Sequence, residues 1–193
     1  MDFIIRRMRE EDIPQVVEIE KMAFSRPWSK SIFKATLLLP YAAYYVAVAS
    51  AGAERENMES SDEPLKENRT AGDEKTCQDP KAGVTADSEK PDENRASGKI
   101  VGMCGVKKIF EEGEISNVAV HPDFRGKGIS RKMLNILMRE AREDGVQAFT
   151  LEVRAGNGIA INLYESLGFR TEGVRRGYYD HPKEDGLIMW QRP

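Results

Sequence analysis

Cysteine, histidine and tryptophan are scarce in this chain, two of each in 193 residues, and only 8% of it is aromatic. With so few soft ligands there is no paired spacing for a disulfide framework or a zinc site, so no metal is expected. Cys77 and Cys104 read as free thiols, the latter as a small buried hydrophobe in an apolar run. Long apolar stretches are missing too: none approaches the ~20 residues that span a bilayer. The opening "MDFIIRRMREED" lacks the charge, apolar run and cleavage site of a signal peptide. The expectation is a cytoplasmic protein without a membrane partner. Nor is there a basic excess: the net charge is −3, which argues against direct nucleic-acid binding through phosphate neutralisation.

That total hides an asymmetry. Residues 51–98 hold 13 acidic and 7 basic side chains, a net of −6, which leaves +3 for the remainder. The segment has no aromatic residue, and Met58, Leu65 and Val84 are its large apolar side chains. Too little surface is available there to offset the entropy of ordering a backbone, so 51–98 is expected to be a disordered acidic insertion. Removing it joins "YAAYYVAVAS" to "KIVGMCGVKK", two alternating β-rich runs. The insertion is thus an enlarged hairpin loop within one domain spanning 1–193; a plain disordered insertion accounts for it, and attraction of basic protein termini by its charge is the functional alternative.

Outside that loop the pattern is α/β. "FIIRRM" reads as a strand, and 12–24 as a helix with Ile13, Val16, Val17 and Ile19 at helical spacing and Asp12 favoured by the macrodipole in its first turn. "SKSIFKATLL" continues as a short helix. Strands follow at 42–49, 99–107 and 112–120, then a helix at 127–143 that aligns Met133, Leu134, Leu137 and Ala141 and stops at Gly145. A strand at 147–153, a helix at 157–167 and strands at 169–178 and 186–191 complete the order β-α-α-β-β-β-α-β-α-β-β.

The stretch "HPDFRGKGISRKML" concentrates bare backbone and charge at a helix start. The first turn of a helix leaves N–H groups unpaired, with partial positive charge from the summed peptide dipoles. Gly126 and Gly128 remove side chains that would hold a phosphate away, and Arg125, Lys127 and Arg131 add charge, so a pyrophosphate fits. A solvated basic helix start with turn glycines explains the same residues. The stretch is neither a P-loop nor a dinucleotide fingerprint, lacking "GKS" or "GKT" and "GxGxxG".

"VAVHPDFRGKGIS" resembles the Gln/Arg-x-x-Gly-x-Gly/Ala pyrophosphate signature of the GNAT N-acetyltransferases, with Arg125 and Gly128 matching and Ser130 in place of the usual Gly or Ala. A second block, "LEVRAGNGIAINLYESLGFRTEGVRRGYY", resembles the bacterial ribosomal-protein alanine N-acetyltransferases in "LEVR", the asparagine, "LYESLGF" and "RRxYY". The resemblance covers nearly everything except 51–98. It implies the GNAT fold: a mixed sheet of six to seven strands flanked by about four helices, with a V-shaped splay between two parallel strands. It also implies acetyl-CoA as cosubstrate. Its pyrophosphate would be gripped by Arg125, Gly126, Lys127, Gly128, Ile129, Ser130 and Arg131. Its pantetheine amides would pair with the backbone of Val118, Ala119 and Val120, and Asn157, also a good helix N-cap, would touch it.

Acetylating an amine needs a neutral nucleophile and a proton for the departing thiolate. An α-amino group, with a pKa of about 7.7 to 8.0, is largely protonated at neutral pH. By resemblance Glu152 is the proton acceptor and Tyr164 the donor to sulfur. From the residues alone, Glu152 is equally a solvated strand glutamate alternating with Leu151 and Val153, and Tyr164 equally a core residue with its hydroxyl at the rim. His121 and His181 read as turn residues. The acceptor pocket implied lies between "FSRPWS" and "RRGYYDHPKEDG", walled by Phe24, Trp28, Tyr178 and Tyr179, although Phe24 and Trp28 also suit ordinary core packing. The implied acceptor is a protein N-terminus, the alanine that begins small-subunit ribosomal protein 18. The hairpin tip "DHPKEDG" departs from the family's usual composition. Another amine, such as another protein terminus, a lysine, a polyamine or a small molecule, therefore stays open, as does a non-catalytic acetyl-CoA-binding module.

Overall fold

Residues 2–49 and 98–193 are described by the computed structural model. The insertion expected at 51–98 lies outside these residues up to position 97, and Cys77 with it. Seven strands form one sheet: β1 (Phe3–Arg7), β2 (Ala42–Ala49), β3 (Lys99–Ile109), β4 (Glu112–Val120), β5 (Ala148–Arg154), β6 (Arg170–Asp180) and β7 (Lys183–Gln191), in the order β1-β2-β3-β4-β5-β7-β6. The helices are α1 (Ile13–Ala23), α2 (Lys30–Leu37), α3 (Ile129–Glu143) and α4 (Gly158–Glu165). The expected order of elements is the observed one.

Alternation along β2 distributes its side chains to two layers. Ala43, Tyr45 and Ala47 join the core under α3, where Met133, Leu134 and Leu137 are 0% exposed. Fully burying side chains of this size contributes about 1.5–3 kcal/mol each. Tyr44, from the alternate set, meets Phe33 of α2 at 6.2 Å and Trp28 at 6.3 Å.

Two irregularities shape the centre of the sheet. β4 and β5 are parallel and pair only through Glu112↔Ala148, Gly113↔Phe149 and Glu114↔Thr150. Beyond Glu114 and Thr150 no further pairing joins them among the described residues, so the strands part, giving the expected splay. Between β3 and β4 the register shifts from Met103↔Ala119 to Gly105↔Ser116, leaving Asn117 and Val118 opposite Cys104. This is a bulge, and Asn117 takes it with φ +51, a left-handed conformation that asparagine tolerates better than most residues.

Three local expectations are corrected. α3 begins at Ile129, not 127, because Gly126 (φ +75) and Gly128 (φ +73) cannot be helical there. Asp12 stands just before the first turn of α1, as its N-cap residue, and is buried: its carboxylate accepts both Arg6 guanidinium nitrogens (2.7 and 2.8 Å) and the Arg9 N–H (2.8 Å). The last hairpin has almost no loop. β6 and β7 continue to Tyr179↔Glu184 and Asp180↔Lys183, so only His181 and Pro182 turn the chain. Only Asp180 of "DHPKEDG" lies on the edge strand β6; Lys183–Gly186 open β7, whose first residues run past the end of β5 and pair with β6 alone, so polar side chains hydrogen-bond there in strand without entering the core.

Candidate active site

A cavity of about 760 Å³ opens beside the parting strands. Its walls include Phe24 and Trp28 from the segment after α1, Thr150 and Glu152 from β5, and Tyr178 and Tyr179 from β6. The four aromatic residues expected to frame an acceptor thus meet in one place together with Glu152. Trp28 both lines the cavity and packs against Phe33 at 5.4 Å. Tyr178 and Tyr179 meet edge to face at 5.0 Å.

Arg154, at the end of β5, holds both walls. Its guanidinium donates to Ser25 Oγ (3.2 Å), to the His181 and Pro182 carbonyls (3.0 and 3.2 Å) and to Glu184 (3.0 Å), and it covers the Tyr179 ring at 4.1 Å. Arg26 and Asp180 form a second, more exposed link between the same two segments. Sequence reasoning quoted Arg154 within "LEVR" without assigning it this role.

Glu152 is not a freely solvated strand residue. Its carboxylate accepts the Tyr178 hydroxyl at 2.7 Å and pairs with Arg175 at 2.8 Å, and its side chain is 28% exposed. The proton on Tyr178 is held more tightly than usual, chiefly because its hydroxyl donates to Glu152. Arg175, from the "RRxYY" element, was not singled out by sequence; nothing in its spacing points to Glu152.

Tyr164 does not line this cavity. It is a buried residue of α4, 7% exposed, packed edge on against Phe169 at 5.9 Å. Burial pushes its phenol pKa well above the ordinary value near 10, so it carries its proton at neutral pH. Leu151 and Val153 belong to the core that holds Tyr164, whereas Glu152 alternates away from them. The expected acid and base are therefore reached from different sides of β5.

At the start of α3 the geometry suits a bulky anion. No side chain caps the helix, whose first internal bond runs from Lys132 N–H to the Gly128 carbonyl, so the preceding amides face outward. A Cβ built on Gly126 or Gly128 meets nothing within 4 Å, which leaves open backbone that a ligand can approach. Arg125 donates to the Val120 carbonyl (3.1 Å), tying this loop to the end of β4, and Arg131 donates to Ser166 Oγ (2.7 Å). Lys127 lies over the Phe124 ring at 5.2 Å. Ile129 is 2% exposed, so its contribution to a ligand can only be its backbone, as is expected of the buried Ala119 and Val120; Val118 is half-buried and Ser130 partly so. Asn157 does cap α4, accepting the Ala160 N–H at 3.2 Å.

Two further residues were missed. Glu20 of α1 is 1% exposed; its Oε1 accepts the Trp28 N–H (3.2 Å) and the Asn117 Nδ2–H (2.8 Å). Glu20 Oε2 and Asn117 Oδ1 are both buried and have no hydrogen-bond partner among the described residues. Removal from water raises the Glu20 pKa above the usual carboxyl value. Helical spacing held the signal, since Glu20 follows Ile13, Val16 and Val17 by seven, four and three positions and so falls on the buried face. Among the described residues no group of three or more His, Cys, Asp or Glu could hold a metal ion, and no helix is long and apolar enough to cross a membrane.

Comparison with known proteins identifies the family and the fold. The acetyltransferase (GNAT) family model matches residues 53–169. The ribosomal protein bS18-alanine N-acetyltransferase of Escherichia coli K12 is 40% identical over 95 residues, 48% of this chain and 64% of that protein. A Bacillus subtilis strain 168 relative, provisionally named for the same reaction, is 29% identical over 187 residues, 96% of this chain and 93% of that protein. The crystal structure of the Escherichia coli S18-alanine enzyme superposes with a TM-score of 0.69 at 25% identity, covering 99% of this chain and 94% of that one. With its parallel strand pair, open glycine loop and matching family model, the chain belongs to the acetyltransferase (GNAT) family of acetyl-CoA-dependent N-acetyltransferases.

Proposed function

We propose that this protein transfers the acetyl group of acetyl-CoA to the α-amino group of a protein, the N-terminal alanine of small-subunit ribosomal protein 18. The observation that carries this reading is the cavity in which Phe24, Trp28, Tyr178 and Tyr179 surround Glu152 beside the parting of β4 and β5. Its aromatic walls around a carboxylate suit a peptide amino terminus, and the names of the bacterial relatives support the acceptor. A ribosomal acceptor supports a cytoplasmic location.

Acetyl-CoA supplies the thioester. Backbone amides of 118–120, within and just after the bulge, pair with the pantetheine arm and polarise the carbonyl in this reading, while the glycine loop and α3 amides take the pyrophosphate. Glu152 removes a proton from the acceptor nitrogen as that nitrogen bonds to the carbonyl carbon. Tyr164, protonated at neutral pH, gives its proton to the sulfur as the carbon–sulfur bond breaks, and is reprotonated from solvent. Asn157 fixes the start of α4 and hence the position of Tyr164.

Incubating the protein with acetyl-CoA, peptides differing in their first residue, and spermine, then locating the acetyl group by mass spectrometry, tests the acceptor. Acetylation of α-amines confined to alanine-first peptides is expected. Acetylated spermine or lysine side chains with untouched termini would overturn it.

A further inference from the structure

Glu20 and Asn117 present an arrangement that neither acetyl transfer nor the fold accounts for. Asn117 Nδ2 donates to Glu20 Oε1 at 2.8 Å. The remaining oxygens, Glu20 Oε2 and Asn117 Oδ1, are both acceptors, both buried, and both without a donor among the described residues. Two buried lone-pair groups left unmatched are costly, and a residue that is 1% exposed has little access to solvent for relief. One proton on Oε2 satisfies both at once, since a carboxylic acid and a primary amide form a closed pair with two hydrogen bonds.

No lysine, arginine or histidine pairs with Glu20 among the described residues. The ionisable groups around it are Glu112 and Glu114 on β4, Glu152 with its partners Arg175 and Tyr178, Tyr179, Arg26 at the rim, and the Tyr44 phenol of β2, which burial pushes up to about 12 and so keeps neutral. An anionic Glu20 would face this set with no cation of its own.

We propose that Glu20 is a neutral carboxylic acid closed in a two-hydrogen-bond pair with the Asn117 amide, and that this pair is a positioning device for acyl transfer. Oε1 accepts at once from the bulge in β4 and from the Trp28 backbone, so a single side chain sets the acceptor wall relative to the strand that receives the thioester. The left-handed backbone of Asn117 is thereby held, and with it the direction of the adjoining Val118 amide. The inference rests on the role given above to the backbone of 118–120.

Glu20→Gln is the decisive variant, because glutamine reproduces the neutral acid atom for atom: Oε1 still accepts and Nε2 donates to Asn117 Oδ1. Expected are a folded protein and kcat and both KM values within about twofold of wild type. Glu20→Ala, which removes the pair, is expected to lower kcat/KM by about 100-fold through misplacement of the bulge. Isotope-edited infrared spectra of wild type at neutral pH should contain the carbonyl band of a protonated carboxyl that Glu20→Gln lacks. An unfolded Glu20→Gln, a folded one slowed more than tenfold, a fully active Glu20→Ala, or no protonated-carboxyl band would each overturn the proposal. Failure of wild type to acetylate any α-amine would instead overturn the acceptor reading, leaving the infrared result to stand alone.

Discussion

In the proposed reaction Glu152 and Tyr164 divide the proton traffic, and each role tests separately. Glu152→Gln keeps shape and loses basicity, so kcat falls by about 100- to 10,000-fold while acetyl-CoA affinity, measured by calorimetry, stays within a few-fold. Tyr164→Phe removes the proton for sulfur and gives a loss of the same order, with the fold retained because Phe preserves the packing on Phe169. Glu20 offers a stability signature instead. Its folded pKa is raised, so the native state binds more protons than the unfolded chain from the ordinary carboxyl pKa upward. Wild-type stability therefore declines as pH rises through that window, by at most about 1.4 kcal/mol per unit, and Glu20→Gln lacks this slope. Denaturant titrations of both proteins from pH 4 to 8 check it; parallel curves would remove the effect. Glu152 was legible from its motif, and Glu20 only from a charge on an apolar stripe, because its value lies in what the fold brings against it.

At the scale of elements, the start of α3 and the last hairpin matter most. Gly128→Ala forces a side chain into φ +73, a strain of about 1–2 kcal/mol that lowers Tm by about 2–8 °C. The new Cβ also enters the open face of the loop, so acetyl-CoA KM rises while peptide KM stays put, a split that steady-state kinetics resolves. The glycine pattern was readable in the sequence, since positive φ is a local demand. Helix and strand cores were readable for the same reason: period alone places Met133, Leu134 and Leu137 under the sheet. The length of β6 and β7 was not. Polar residues at a sheet edge are selected by solvent, and they look like loop residues until pairing partners such as Tyr179 and Glu184 are known.

For the whole molecule, the question is what the segment between β2 and β3 contributes. Ala49 pairs with Lys99, so the two strands meet in register on either side of it. Replacing residues 50–97 with a four-residue turn is expected to leave the sheet intact and, for a flexible loop, to raise stability by about 2 kcal/mol through easier closure. Should its acidic charge draw basic termini, the same deletion lowers kcat/KM at low salt and has no effect at high salt. Equal kcat/KM at both salt concentrations would leave the segment without that role. By itself the sequence determined the order of elements, the glycine loop before α3 and the family, and it offered the candidate acid and base, because each is written in local period or in a short contiguous motif. Only the tertiary structure decided that Arg175 and Tyr178 engage Glu152, that Arg154 holds both cavity walls, and that Glu20 closes on Asn117. These contacts join residues from 23 to 129 positions apart, and burial, charge pairing and hydrogen bonding depend on distance in space, which no local pattern encodes.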